Sequence, residues 1–195
     1  MHLSLQLGIG GAFVAAALAF TNPVFAQEGE GPIVTAGSTE SADALRIREA
    51  IAYSYDLPRG APSEDYPLVA WCEALVNGHV ALGESLVDPD PLDVEIIRLA
   101  RLEAADFNSA LVVARPSQDA ATRERARIAA GVASAQWTPL MAQADPAARS
   151  QAFGLFFGLP GRCEHAARRI RGNITSPPTS LADVGLAAED TGKAN

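Results

Sequence analysis

Cys72 and Cys163 are the two cysteines of the chain, and His79 and His165 are its only histidines beyond His2. With Glu73 and Glu164 directly following the cysteines, these are the residue types from which a metal site, a thiol nucleophile or a disulfide could be built. A Cys2His2 zinc site needs all four Cys and His side chains on one ion. Cys72 and His79, however, are seven residues apart on one predicted helix. At the rise of an α-helix their Cα atoms lie about 10 Å apart along the axis, too far for ligands that must each approach an ion to about 2 Å. A thiol–imidazole dyad within Cys163-Glu164-His165 meets a similar obstacle, because residues two apart point about 200° apart around a helix. Neither cysteine belongs to a Cys-x-x-Cys redox motif.

An even cysteine count in an exported chain predicts instead a single Cys72–Cys163 disulfide. The loop it closes is long, for which chain-entropy reasoning gives about 4 to 5 kcal/mol of stabilisation. The alternative is a cross-helix cluster of Cys72, Cys163, Glu73, Glu164, His79 and His165, as a metal-binding or thiol-dependent enzyme site, and it requires the sulfurs to be free. Other chemical signatures are missing from the sequence: a Gly-x-Ser-x-Gly elbow, His-Glu-x-x-His, a P-loop, a dinucleotide glycine pattern and a Cys-x-x-Cys-His haem site. No catalytic residue, cofactor or metal is therefore predicted.

The elements that must hold these residues begin after an export signal. Leu3–Phe20 carries no charged residue, Pro23 breaks the run, and Val24-Phe25-Ala26 offers small residues at the positions a signal peptidase reads, so Met1–Ala26 reads as a signal peptide cleaved before Gln27. The run is short and glycine-interrupted for a membrane span, which predicts no membrane anchor after cleavage and a periplasmic or secreted product. Gln27–Glu40, rich in Gly, Glu and small residues, reads as a flexible linker. Residues 41–172 read as one helical domain, and residues 173–195, opening with Ser176-Pro177-Pro178, as a disordered tail.

Within the domain, Gly and Pro punctuate helical patterns. Ser41 is a predicted N-cap for a helix reaching about Tyr55. A second helix runs from Asp65-Tyr66-Pro67 through Trp71, Leu75 and His79 toward Leu86. Asp90-Pro91 starts a third, on which Ile97, Ala100, Ala104, Phe107, Leu111 and Ala114 recur at spacings of three and four and form one apolar seam. A fourth opens at Asp119 and is expected to end before Pro139, with Ala129, Ala130, Gly131 and Ala133 thinning it for close packing. Asp145-Pro146 opens a fifth, carrying Phe153, Phe156 and Phe157, and a sixth runs from Arg162 to Arg171 with Gly172 as its C-cap. No alternating strand pattern or hairpin signal occurs. The fold class predicted is all-α: an irregular bundle of five to six helices, with the disulfide joining the second helix to the last.

The net charge of −8, from 23 acidic and 15 basic residues, opposes binding to nucleic acid and to anionic lipid. The clusters Arg123/Arg125/Arg127 and Arg162/Arg168/Arg169/Arg171 read as solvated helix faces, the second offsetting a helix dipole. Two features offer a surface for a partner protein. Phe153–Leu159 is apolar on every side, as a central helix or a contact would be. Gly78 and Gly83 flank His79, as close helix packing or a bound ligand would require. His79, Phe153, Phe156 and Phe157 are accordingly the candidate interaction residues.

The Cys72-x5-Gly78 spacing resembles that of small exported immunity proteins that neutralise interbacterial effectors and also pair an early with a late cysteine. The resemblance covers one Cys and one Gly over about seven residues, identifies no family, and implies binding to an effector protein. The reading that emerges is a non-enzymatic, exported, helical protein that works by binding another protein, with the Cys/His/Glu enzyme as its main rival. An effector-immunity-like or stress-protective periplasmic protein is a further alternative.

Overall fold

A computed structural model describes residues 40–156 and 158–186. The predicted signal peptide, nearly all of the predicted linker, Phe157 and residues 187–195 lie outside the described residues. The six helices among the described residues are α1 (Ala42–Ser54), α2 (Asp65–Glu84), α3 (Pro91–Ala114), α4 (Ala120–Met141), α5 (Pro146–Gly154) and α6 (Arg162–Arg171), with 3₁₀ turns at Arg115–Ser117 and Ala182–Val184. The described residues contain no strand, and no helix among them is long and apolar enough to cross a membrane.

The helix starts follow from local chemistry. Ser41 accepts the amide of Ala44 at 3.1 Å, Asp119 accepts that of Thr122 at 2.6 Å, and Asp145 accepts that of Ala147 at 3.0 Å. Asp90 and Asp93 exchange side-chain-to-backbone bonds at 2.8 and 3.1 Å in a capping box ahead of Pro91. At the far end, α6 closes after Gly172. Asn173 takes a left-handed φ of 49°, the Ile174 amide reaches the Arg169 carbonyl at 2.9 Å, and the Asn173 amide reaches Ile170 at 3.2 Å. These bonds satisfy carbonyls that the end of a helix otherwise leaves bare.

The centre of the bundle is α2, which packs chiefly on α4 and α3 and then on α6 and α5. Leu68, Val69, Ala70, Trp71 and Cys72 are consecutive and all buried, so no face of this stretch reaches water. The neighbours facing it are lined mostly by alanine. The seam of α3 buries Ile97, Ala100, Ala104, Phe107, Ala110 and Ala114, with Leu111 partly covered, and α4 buries Ala126, Ala129, Ala133 and Trp137. Large side chains on one helix against small ones on the others let the axes approach and fill the interior without voids.

Three expectations about elements are corrected. Pro139 lies inside α4, which continues to Met141. Proline removes the bond that an amide at position 139 would make to the Ala135 carbonyl, but Ala135 is exposed, so water can reach that oxygen, while Leu140 packs on the core and the Ala142 amide still closes onto Thr138 at 3.1 Å. The Phe-rich segment is helical only to Gly154, so Phe156 belongs to the loop that follows α5. Lastly, the first part of the predicted tail is docked. Thr179 Oγ1 donates to Glu49 at 3.1 Å, the Ser176 carbonyl accepts from Arg169, and the 3₁₀ turn Ala182–Val184 lies on α1.

Candidate functional site

The disulfide expected from the cysteine count joins Cys72 of α2 to Cys163 of α6, with Cα atoms 6.1 Å apart and a sequence separation of 91. Both residues are buried, at 0% and 1% exposure. With both sulfurs bonded, neither is available as a metal ligand or nucleophile. The other members of the cross-helix cluster turn to separate partners. Exposed Glu164 pairs with Arg48 of α1 at 3.1 Å, and His165 Nδ1 accepts from Arg168 at 3.0 Å. Glu73 is half-buried, and burial raises its carboxyl above the ordinary range against the pull of a hydrogen bond from Asn77. Among the described residues, no group of three or more His, Cys, Asp or Glu side chains is placed to hold a metal ion.

The candidate interaction residues separate. His79 and Phe153 are buried at 4% and 2% exposure, so neither forms part of the surface; Phe156 is half-buried, and Phe157 lies outside the described residues. His79 Nε2 donates to the Phe153 carbonyl at 3.1 Å. Its ring stacks with those of Phe153 at 4.4 Å and Trp137 at 5.8 Å and lies tilted against Phe156 at 4.4 Å. Burial in this aromatic box lowers the His79 pKa below its ordinary 6.5, the Phe153 hydrogen bond opposing only in part. The two glycines beside it are explained by packing. A Cβ on Gly78 would sit 2.0 Å from Trp137 Cδ1, and one on Gly83 would sit 2.6 Å from both Ile97 Cγ1 and Phe153 Cε2. No room for a ligand remains at that backbone.

Two features that sequence reasoning missed carry the polar chemistry. The first is a buried charge network between α1, α2, α6 and the segment after it. Arg169, 5% exposed, donates to Asp65 at 2.9 Å, to Glu49 at 3.1 Å and to the Ser176 carbonyl. Tyr53 donates to Asp65 at 2.7 Å, and the Arg162 guanidinium lies over the Tyr53 ring at 4.3 Å. Burial alone would lower the Arg169 pKa, but the bonds to Asp65 and Glu49 outweigh it and raise it, so the cation persists. Tyr53 is pushed well above the phenol range by burial and then by its bond to Asp65. The predicted solvated face of α6 is thus corrected at Arg169. Nothing in the run Arg168-Arg169-Ile170-Arg171 marks which arginine turns inward, because the choice depends on where Glu49 and Asp65 arrive from distant helices.

The second is an open groove of about 420 Å³ where α3 ends and α4 begins. Tyr66 and Ala70 of α2, Leu111 of α3, and Ala126 and Ala130 of α4 make its apolar lining, and Arg115, Arg123, Arg127 and Glu124 edge it. Small residues leave it hollow: a longer side chain at Ala130 would occupy the space. Arg127 is taken by Glu124, at 2.6 and 2.8 Å. Arg123 donates to the Gln118 carbonyl, and Arg115 has no carboxylate partner among the described residues. On the other side of Tyr66 lies a smaller cleft of about 240 Å³, lined in part by Asp65, Arg169 and Ile174. Its charged groups are already paired, Asp65 and Arg169 within the network and Glu64 with Arg125 at 2.8 Å.

Comparison with protein-family models, curated proteins and solved structures returned no match.

Proposed function

We propose that this chain is an exported, non-enzymatic helical protein that acts by binding another protein. The observation that carries the reading is the contrast between interior and surface. The groups able to do chemistry are sealed: the sulfurs in a disulfide, His79 in an aromatic box, and Arg169 in a saturated ion-pair network. What stays open is an apolar groove with a charged edge, the anatomy of a recognition surface. A disulfide between buried cysteines also fits a protein outside the reducing cytosol.

The test places a photo-activated cross-linking residue at one exposed position at a time, Leu102, Ile128, Val132 and Arg115, in the full chain produced in its native host. Intact mass of the recovered protein reports whether the chain begins at Gln27 and carries the disulfide. One discrete adduct, formed at one face and competed away by unlabelled protein, is the expected result. Diffuse labelling at every position, or a mature chain still carrying Met1–Ala26, refutes the reading.

A further inference from the structure

We propose that the groove between the end of α3 and the start of α4 is the docking site, and that its occupant is an acidic, amphipathic segment of the partner protein. This rests on the reading of the chain as a protein-binding module. Tyr66, Ala70, Leu111, Ala126 and Ala130 form an apolar trough, which takes up side chains that gain by leaving water. Three arginines and one glutamate stand around it, leaving a positive edge on a chain whose net charge is −8.

The arginines are not equivalent. Arg127 is neutralised by a bidentate pair with Glu124. Arg123 spends one nitrogen on the Gln118 carbonyl, and Arg115 meets no carboxylate among the described residues. Arg115 and Arg123 therefore present guanidinium donors at the mouth of an apolar trough, where a carboxylate can be held in two parallel hydrogen bonds. The trough is short and open, so it accepts a few side chains of one segment rather than a whole domain face. A polyanion such as nucleic acid fits less well. The only aromatic ring in the lining, Tyr66, is itself buried and offers no stacking platform for bases, and the trough is apolar where a nucleic-acid backbone needs a continuous run of cations.

The probe is an acetylated peptide of repeated Glu-Leu-Ala-Glu, titrated into the full mature chain and followed by amide and arginine Nε shifts. Counterparts carry Gln or Lys in place of Glu, and a single-stranded oligonucleotide serves as a fourth titrant. The expected result is shifts confined to Ala70, Leu111, Arg115, Arg123, Ala126 and Ala130, with binding weakened at least tenfold in the Gln peptide, in the Lys peptide and in 0.5 M salt. The double variant Arg115→Glu/Arg123→Glu, at exposed positions, should lose at least tenfold while melting normally. Ala130→Leu, which fills the trough and leaves the charges in place, should lose a similar amount. Equal binding of the Glu and Gln peptides, shifts elsewhere on the surface, no binding of any peptide, or a preference for the oligonucleotide overturns the proposal. The cellular cross-link separates this failure from that of the broader reading. An adduct that survives Arg115→Glu/Arg123→Glu refutes the groove and spares protein binding, whereas the absence of an adduct at every position refutes protein binding itself.

Discussion

Replacing Gly78 by alanine should destabilise this protein, although helix propensity alone predicts the reverse. In the middle of α2, glycine-to-alanine exchange is worth about 1 kcal/mol in favour of alanine. Against this, the new methyl would lie 2.0 Å from Cδ1, 2.3 Å from Nε1 and 2.4 Å from Cγ of Trp137. Ordinary carbon–carbon contact is about 3.5 to 4.0 Å, so the indole or the helix has to move by more than 1 Å. Trp137 is 7% exposed and packed on His79 and Phe156, which leaves little freedom to give way. Overpacking of this kind costs about 1 to 3 kcal/mol, and the excess over propensity is a net loss of up to about 2 kcal/mol. Gly131 of α4 is the control: a Cβ there meets nothing within 4 Å, so Gly131→Ala should gain up to about 1 kcal/mol. Urea unfolding followed by helical circular dichroism and by tryptophan fluorescence measures both changes. In a Trp137→Ala background the clash is gone, and Gly78→Ala should then turn stabilising. A stabilising Gly78→Ala in the wild-type background, equal to that of Gly131→Ala, would refute the account of α2 and α4 meeting at a bare backbone.

Three further outcomes follow from the same packing. Reduction of Cys72–Cys163, or its replacement by a pair of alanines, should lower the unfolding free energy by up to about 4 to 5 kcal/mol, measured with and without reductant; no change in midpoint would contradict a staple spanning this loop. Arg169→Met leaves Glu49 with only the Thr179 hydroxyl and the longer Arg168 contact at 3.7 Å, and Asp65 with only the Tyr53 hydroxyl, and should cost about 3 kcal/mol. Arg171→Met removes an exposed pair with Asp106 and should change little, so equal losses would contradict the buried network. On acidification, the sign is set by His79 and His165, whose pKa values burial lowers from 6.5, helped at His165 by Arg168. The unfolded chain then binds more protons than the folded one below about pH 6.5, so stability is full above that pH and declines as pH falls toward the lowered folded values. His79→Gln keeps a donor for the Phe153 carbonyl without titrating, and it should flatten the decline between pH 6.5 and 5; a decline unchanged in that variant and in His165→Gln would remove the histidines as its cause.

Most of the helical architecture was legible because its signals are local. Ser41, Asp90, Asp119 and Asp145 cap helices through bonds that span two or three residues, and the α3 seam shows its buried face by spacing alone. Pro139 misled because a proline reads as a stop, while its cost depends on how much helix follows and on whether Leu140 finds the core. The Phe153–Leu159 run misled differently: apolar residues declare burial but not helicity, and the backbone leaves the helix at Gly154.

The site was legible only in part. Two cysteines in a chain whose first residues read as an export signal can be paired without coordinates, since there is one way to pair two. The choice between close packing and a ligand at Gly78 and Gly83 needed the positions of Trp137, Ile97 and Phe153, which come from other helices. The buried Arg169 and the open groove were invisible for the same reason. Composition and short-range spacing govern capping, helix length and the burial of a seam, all of which act within a few residues along the chain. Which arginine is desolvated among carboxylates, and which alanines are left facing a hollow, depends on contacts between different helices, 120 residues apart in sequence for Glu49 and Arg169. Those contacts exist only after six helices have packed.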